Sequence, residues 1–190
     1  VEDVWPVNWK CFIENFMEAY HLSPLHKTTL HPMNPTKLCS YIPPGEAWFG
    51  YNAGFSTDLP RSYKGHPDLT DAEAMNCVMM AIPPGLVSGC SGDYSSFICI
   101  QPESVDRVRV KMGLMFFGPT WAQKDVDYAV DLFHQYMAED KEVLTAMVRG
   151  LNSRHYSHGP LAPLDFEGAA VDLARYYSRR MGGVLAGKPM

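Results

Sequence analysis

The stretch from residue 86 to residue 117 limits the possible folds of this chain more than any other segment. It holds three runs rich in β-branched and aromatic residues, at 86–90, 94–102 and 107–117, separated by Gly-Asp and Ser-Val-Asp turns. In the last run, Val108, Val110 and Met112 alternate with Arg109 and Lys111, which is typical of a strand with one buried face. Short strands joined by tight turns pair with their neighbours, so the segment predicts an antiparallel meander.

Helical patterns lie on both sides of this meander. One runs from 121 to about 151, and another runs from 164 to 181 and closes on two glycines. An earlier one covers 8 to about 22, and Pro24 is expected to end it because proline lacks an amide donor. The stretch 31–84 is rich in Pro, Gly and Asn, with short strands expected at 41–42 and 48–55 and a helical turn at 68–74. An antiparallel sheet with long helices packed on one face predicts an α+β architecture.

Composition excludes several classes of protein. A chain of 190 residues with 46% apolar and 19% charged residues predicts one globular domain. Its formal charge is −5 and it has no Lys/Arg cluster, so nucleic acid is not an expected partner. No run approaches the ~20 apolar residues of a membrane span, and no secretory signal is visible. Five cysteines without a C-x-x-C pair favour reduced thiols and a cytoplasmic location.

Two histidines near the N-terminus are candidate metal ligands. Glu18 and His21 are spaced to share one face of the predicted helix, whereas His26 would lie ~140° around a continuous helix from His21. A turn at Pro24 would bring His26 back beside His21. Converging imidazoles suit Fe(II), Zn(II), Cu(II) or Ni(II), although either residue alone could be an ordinary core or surface histidine. There is no H-E-x-x-H, so the zinc-protease pattern does not fit.

A carboxylate on the late helix is a candidate third ligand. The apolar positions of this helix include Val126, Val130, Phe133, Met137, Leu144 and Met147. Asp140 falls on that stripe, and its neighbour Glu139 points about a quarter-turn away. A carboxylate among apolar residues is costly unless it is paired or bound to a cation. The pattern leaves two alternatives open, a metal ligand and a buried aspartate paired with an arginine or a helix amide.

Both ends of the chain resemble one known family. The sequence reads N-W-K at 8–10, E-N-F at 14–16 and E-x-Y-H at 18–21, with a second histidine five residues later. This segment closely resembles the iron-binding segment of α subunits of Rieske ring-hydroxylating oxygenases. The sequence E-D-x-x-V at 139–143, followed by R-G-L-x-S at 149–153 and G-P-L at 159–161, resembles the C-terminal block of that family. Glu18 stands where many members have Asp, and Val148 stands where members often have Gln.

The resemblance implies roles for particular residues. His21, His26 and Asp140 would bind mononuclear Fe(II), which would activate O₂ for dihydroxylation, hydroxylation or oxidative demethylation of a small organic substrate. Glu18 would link the iron site to the neighbouring subunit's Rieske cluster, and Asn15 would lie near the iron. The resemblance also implies a helix-grip fold, in which the sheet curves around a long C-terminal helix. It further implies a homotrimer that receives electrons from a ferredoxin or reductase.

The Rieske cluster itself has no ligands in this sequence. A [2Fe–2S] centre of that type needs C-x-H and C-x-x-H spacings, and neither occurs here. We therefore expect that residues 1–190 are the mononuclear iron catalytic domain, with the N-terminal Rieske domain absent from this chain or carried by another chain. The missing initial Met agrees with that expectation.

Two other functions use the same residues. One is a carrier of hydrophobic ligands on the same fold, and the other is a zinc-dependent hydrolase with the same three ligands. The intact His/His/Asp set argues against the carrier, and the E-x-Y-H context argues against zinc. Candidate pocket residues are Met79, Met80, Phe97, Phe116, Phe117 and Tyr128. These residues could equally be ordinary core, and their rings could also surround a quaternary ammonium group.

Overall fold

A seven-stranded antiparallel sheet forms the centre of the molecule. The computed structural model describes residues 1–58, 66–118 and 121–185. For residues 184 and 185 it describes the backbone only. The strands are β1 (Glu2–Trp5), β2 (Cys39–Ile42), β3 (Phe49–Gly54), β4 (Asn76–Ile82), β5 (Leu86–Cys90), β6 (Tyr94–Ser104) and β7 (Arg107–Phe116). Their order is β1-β7-β6-β5-β4-β3-β2, and every neighbouring pair is antiparallel. The predicted meander is therefore confirmed as β5, β6 and β7.

Two strands were not predicted. β4 lies in the Pro- and Gly-rich stretch, and its first five residues are all half-buried, so no alternation of buried and exposed residues marks it. β1 is a four-residue edge strand that pairs with β7 over a hundred residues later. Burial along β7 follows the prediction, because Val108, Val110 and Met112 are all buried.

In the described residues, five helices accompany the sheet. They are α1 (Trp9–Phe16), α2 (Leu22–Leu25), α3 (Asp71–Ala74), α4 (Gln123–Leu151) and α5 (Leu164–Leu185), with a 3₁₀ turn at Thr36–Leu38. α4 agrees with the predicted late helix, whereas α5 continues through Gly182 and Gly183 instead of ending there. Among the described helices, none has the length and apolar composition needed to cross a membrane. All five cysteines are free thiols.

The first helix ends earlier than predicted, at Phe16 instead of near residue 22. Beyond it, Ala19 bonds outside the helix with both of its backbone groups. Its N–H donates to the Phe166 carbonyl of α5 at 2.8 Å, and its carbonyl accepts from the Thr36 hydroxyl at 2.9 Å. Because these partners are far away in the sequence, local periodicity did not reveal the end of the helix.

Pro24 does not end the first helix, and that prediction was wrong. It lies inside α2, a single turn of four residues. The first amides of a helix have no partner within the helix, so the missing N–H of a proline costs little there.

Helices α1 and α5 close the core over the sheet. α1 contacts α4, β4 and β6, while α5 contacts β2 and β3. Trp5 and Phe12 are fully buried, with ring centroids 4.8 Å apart in an edge-to-face arrangement. The α+β architecture is confirmed.

Candidate metal centre

The two predicted histidines lie at the two ends of α2. His21 immediately precedes the helix and His26 immediately follows it. One helical turn between them brings their ring centroids to 5.2 Å. The His26 N–H donates to the Leu22 carbonyl at 3.2 Å, which fixes the backbone at the second histidine. The structure therefore brings the two imidazoles together through a short helix.

Asp140 reaches the same point from α4. Its Oδ1 lies 3.2 Å from His26 Nε2 and 3.6 Å from His21 Nε2. One ligand atom from each of the three residues lies within 4.8 Å of the others. The predicted burial of Asp140 is confirmed, since its exposed fraction is 2%. A buried aspartate paired with an arginine or a helix amide would accept a hydrogen bond. In the described part of the chain, Asp140 Oδ1 accepts none.

The donor set fits a divalent metal ion. His26 Nε2 and Asp140 Oδ1 are buried and have no hydrogen-bond partner in the ranges that the structure describes. Orphaned buried polar atoms are costly, and a cation between them would satisfy both. Burial acts to lower the pKa of His26, but Asp140 and Glu139 outweigh it, so this pKa lies above its ordinary value. Two imidazole nitrogens and one carboxylate are the donors of facial Fe(II) sites that keep open positions.

A second carboxylate holds each imidazole by its outer nitrogen. Glu18 contacts His21 Nδ1 through Oε1 and accepts the His21 backbone N–H through Oε2 at 3.0 Å. Glu139 Oε2 lies 2.6 Å from His26 Nδ1. Both Nδ1 atoms are thus engaged, which leaves the Nε2 atoms to face Asp140. Carboxylates that orient metal-binding histidines in this way fix the ring and its tautomer.

Glu139 is a site residue that the sequence analysis missed. It was assigned only a direction about a quarter-turn from Asp140. In a helix, adjacent residues diverge by ~100°, so both can reach one site that lies beside the helix. The available signal was the pair of adjacent acids next to an apolar stripe.

A largely apolar cavity of about 490 Å³ opens onto the three residues. It lies between the sheet and α4. α4 contributes one face of residues spaced three or four apart: Asp125, Tyr128, Ala129, Leu132, Phe133, Tyr136 and Asp140. Strands β3 to β6 contribute the opposite wall: Tyr51, Ala53, Cys77, Met79, Val87, Gly89, Tyr94, Ser96 and Ile98. Burial raises the pKa of Tyr51 and Tyr136 well above the ordinary value, so both phenols stay protonated at neutral pH.

The predicted pocket residues divide into two groups. Met79 and Tyr128 line the cavity, whereas Met80, Phe97, Phe116 and Phe117 do not. Successive side chains of a strand point to opposite faces, which separates Met80 from Met79 and Phe97 from its lining neighbours.

Two other residues named from the sequence lie away from the cavity. Asn15 is half-buried on α1 and is not a lining residue, so its role near the metal stays a prediction. His31 Nδ1 lies 2.8 Å from the Ser23 hydroxyl and does not join the ligand group.

The fold and the site together define a class of protein. The cavity lies between an antiparallel sheet and a long helix, and a His/His/carboxylate group lines it. This arrangement is typical of a mononuclear metal-dependent catalytic domain. The family model for the ring hydroxylating alpha subunit (catalytic domain) matches residues 3–183. The chain belongs to this family of Rieske non-haem iron oxygenases.

The curated relatives are longer than this chain. The oxygenase subunit of carnitine monooxygenase from Acinetobacter baumannii is 25% identical over 156 residues, which cover 80% of this chain and 40% of the relative. The corresponding subunit from Acinetobacter pittii is 24% identical over the same coverage. The chain therefore spans about 40% of the length of these relatives.

Solved structures share the fold at low sequence identity. A quaternary ammonium Rieske monooxygenase, described for carnitine oxidation by gut microbiota and inter-subunit electron transfer, has a TM-score of 0.70 and 17% identity. The match covers 93% of this chain and 48% of that one. Naphthalene 1,2-dioxygenase from Rhodococcus sp. has a TM-score of 0.71 and 16% identity, covering 96% of this chain and 55% of that one.

Proposed function

We propose that residues 1–190 form a mononuclear iron catalytic domain in which His21, His26 and Asp140 hold Fe(II). The observation that carries this proposal is the pair of orphaned buried atoms, His26 Nε2 and Asp140 Oδ1, that face each other across 3.2 Å. We also assign the helix-grip fold, with the sheet wrapped around α4. The domain would act as a mono- or dioxygenase on a small organic substrate.

The residues of this chain would prepare the site for that chemistry. When bound, Fe(II) supplies open coordination positions for O₂ beside the substrate. Glu18 and Glu139 contact the Nδ1 atoms of His21 and His26, on the side of each ring away from Asp140. The apolar walls of the cavity exclude water and hold the substrate against the open side of the site.

Metal analysis of protein purified without oxygen tests the proposal. We expect one Fe(II) per chain and a thermal unfolding midpoint that rises when Fe(II) is added to metal-free protein. Iron at well below one per chain, with no response to added Fe(II), would favour the ligand-carrier alternative. Binding of Zn(II) together with discrimination against Fe(II) would favour the hydrolase.

Electrons would come from outside the mononuclear site. We propose that a [2Fe–2S] Rieske cluster on a preceding domain or another chain delivers them, after reduction by a ferredoxin or reductase. The similar quaternary ammonium monooxygenase transfers electrons between subunits. By analogy we propose a homotrimer in which the cluster of one subunit faces the iron of the next.

Glu18 is the proposed link between the two centres. It lies outside the ligand group, and its carboxylate contacts His21 Nδ1. In a complete enzyme with its Rieske domain, Glu18→Gln should leave about one iron per chain at saturating Fe(II). It should slow substrate-triggered oxidation of the reduced cluster by at least ~10-fold, as loss of a ligand-orienting partner commonly does.

Stopped-flow spectroscopy of the reduced cluster mixed with O₂ and substrate measures this rate. Glu14→Gln, one turn earlier on the exposed side of α1, is the matched control. An unchanged rate in Glu18→Gln would overturn the proposed link and leave Glu18 only its contacts with His21. Loss of iron at saturation would make it a ligand.

We further propose a substrate that carries a cationic ammonium group. The carboxylates of Asp93 and Asp125 line the cavity together with Asp140, and no described lysine or arginine does so. Phe133 and Tyr136 both line the cavity, with ring centroids 5.3 Å apart, and the Tyr136 ring lies 6.3 Å from that of His26. Aromatic faces attract quaternary ammonium groups. The curated relatives are carnitine monooxygenase subunits, which supports the same class of substrate.

Tyr136 provides a test of this substrate class. Tyr136→Leu should weaken binding of L-carnitine about fivefold, because a cation–π contact contributes roughly 1 kcal/mol. Tyr136→Phe keeps the aromatic face and should bind L-carnitine like the wild type. Calorimetry with Fe(II)-loaded protein under nitrogen measures both variants. An isostere of L-carnitine with carbon in place of nitrogen is the control ligand. If Tyr136→Leu weakens both compounds equally, the tyrosine acts through shape and the cationic substrate is wrong.

A further inference from the structure

Glu139 connects two parts of the chain that are far apart in sequence. Its Oε2 lies 2.6 Å from Nδ1 of His26, which is 113 residues away. The same oxygen accepts the hydroxyl of Thr29 at 2.7 Å. His26 is fully buried and Thr29 is 5% exposed, whereas the Glu139 side chain is 30% exposed. The carboxylate therefore enters a buried site from its solvent side.

The contact with Thr29 fixes the position of the Glu139 carboxylate and its role as a hydrogen-bond acceptor. A hydroxyl that donates to Oε2 holds the carboxylate in place and keeps that oxygen an acceptor. The His26 contact then requires a proton on Nδ1, because a carboxylate only accepts. A neutral imidazole with its proton on Nδ1 has a lone pair on Nε2. Asp140 Oδ1 competes for the imidazole proton from the Nε2 side at 3.2 Å, and the shorter Glu139 contact, at 2.6 Å, favours the proton on Nδ1.

Glu18 and Glu139 differ in what they restrain. Glu18 lies three residues before His21 and bonds within one local segment. Glu139 joins the segment after α2 to α4, and it is adjacent to the ligand Asp140. A shift of α4 would therefore move the ligand and the partner of His26 together. The carboxylates on the two sides of the His26 ring thus belong to adjacent residues, Glu139 and Asp140.

We propose that Glu139, held by Thr29, is a positioning residue that keeps His26 in the Nδ1–H tautomer and directs Nε2 to the metal position. This inference rests on the proposed metal site but concerns the imidazole itself, which can be observed without metal. The competing explanation is a purely structural tie between two segments. That explanation predicts changes in stability with no change in tautomer.

Nitrogen NMR of metal-free protein with ¹⁵N-labelled histidine tests the tautomer directly. At a pH where the imidazoles are neutral, wild-type His26 should show a protonated Nδ1 and an unprotonated Nε2. Glu139→Gln should move His26 toward the Nε2–H form, because the Gln amide can donate to Nδ1. Glu142→Gln, on an exposed position of α4, is the matched control and should leave the spectrum unchanged.

Anaerobic Fe(II) titration gives the second measurement. Glu139→Gln should weaken Fe(II) binding by ~10- to 100-fold, and Glu139→Asp should recover part of the loss. Thr29→Val should weaken binding less, and the double variant should bind like Glu139→Gln alone because the two residues act as one unit. An unchanged His26 tautomer together with Fe(II) affinity within about twofold of wild type would overturn the proposal.

The NMR result also separates this inference from the proposed function. A wild-type protein that shows the Nδ1–H tautomer, shifted in Glu139→Gln, supports the positioning role even if no Fe(II) binds. Failure to bind Fe(II) would then overturn the metal site alone. Thr29→Val offers a second route to the tautomer, should Glu139→Gln fold poorly.

Discussion

Asp140→Ala should lower the affinity for Fe(II) by at least ~100-fold, because it removes the only anionic ligand of the proposed site. Loss of residues that merely orient ligands already costs ~10- to 100-fold. His21→Ala should have a similar effect, because two remaining donors cannot hold one face of an octahedral ion. Equilibrium dialysis against Fe(II) under nitrogen, followed by metal analysis, measures these affinities.

A matched variant separates loss of a ligand from general damage to α4. Asp131→Ala removes an exposed carboxylate from the same helix and should keep wild-type iron. Circular dichroism should show that all three variants are folded, since Asp140 Oδ1 accepts no hydrogen bond from the described residues. Full iron retention in both His21→Ala and Asp140→Ala would refute the assignment of the ligands.

The second large effect concerns electrons. The isolated chain with reductase, NADH, O₂ and a compound that binds the cavity should form no product above background. The sequence lacks the C-x-H and C-x-x-H spacings of a Rieske cluster, so nothing connects the reductase to the mononuclear site. Product analysis together with NADH consumption measures this. A complete subunit with its Rieske domain, assayed in parallel, should be active.

Hydrogen peroxide provides the control for this experiment. Peroxide carries both the oxygen atom and the two electrons needed to hydroxylate a C–H bond, with water as the other product. The isolated chain should therefore form product with peroxide while remaining inactive with NADH. Sustained NADH-dependent product formation without an added iron–sulfur protein would contradict the proposed electron path.

The features that could be predicted are those whose burial follows from the local pattern of apolar and polar residues. β7 alternates because one face is buried, and Asp140 stood out because it interrupts an apolar stripe of a long helix. Resemblance then joined Asp140 to His21 and His26, which periodicity alone could not do. The structure brings these three together.

The parts that were missed depend on partners distant in sequence. The end of α1 follows from bonds of Ala19 to Thr36 and Phe166, which lie 17 and 147 residues further on. Glu139 gains its importance from His26, 113 residues before it. No helical or strand period encodes such pairings, so only the folded chain reveals them.

Helix α4 lines one wall of the cavity with residues from several successive turns, so the helical repeat decides which of its side chains face the cavity. Asp125 and Asp140 both face the cavity and are separated by about 22 Å of helix, at 1.5 Å per residue. Removing one residue between them would rotate the part of α4 before the deletion by ~100° relative to the part after it. Asp125 and its neighbours would then no longer face the same cavity as Asp140. We therefore expect an insertion or deletion in this stretch to disrupt the cavity, whereas a substitution changes its lining at one position. Single substitutions on this face of α4 can thus change which molecules the cavity accepts and leave the proposed metal ligands in place.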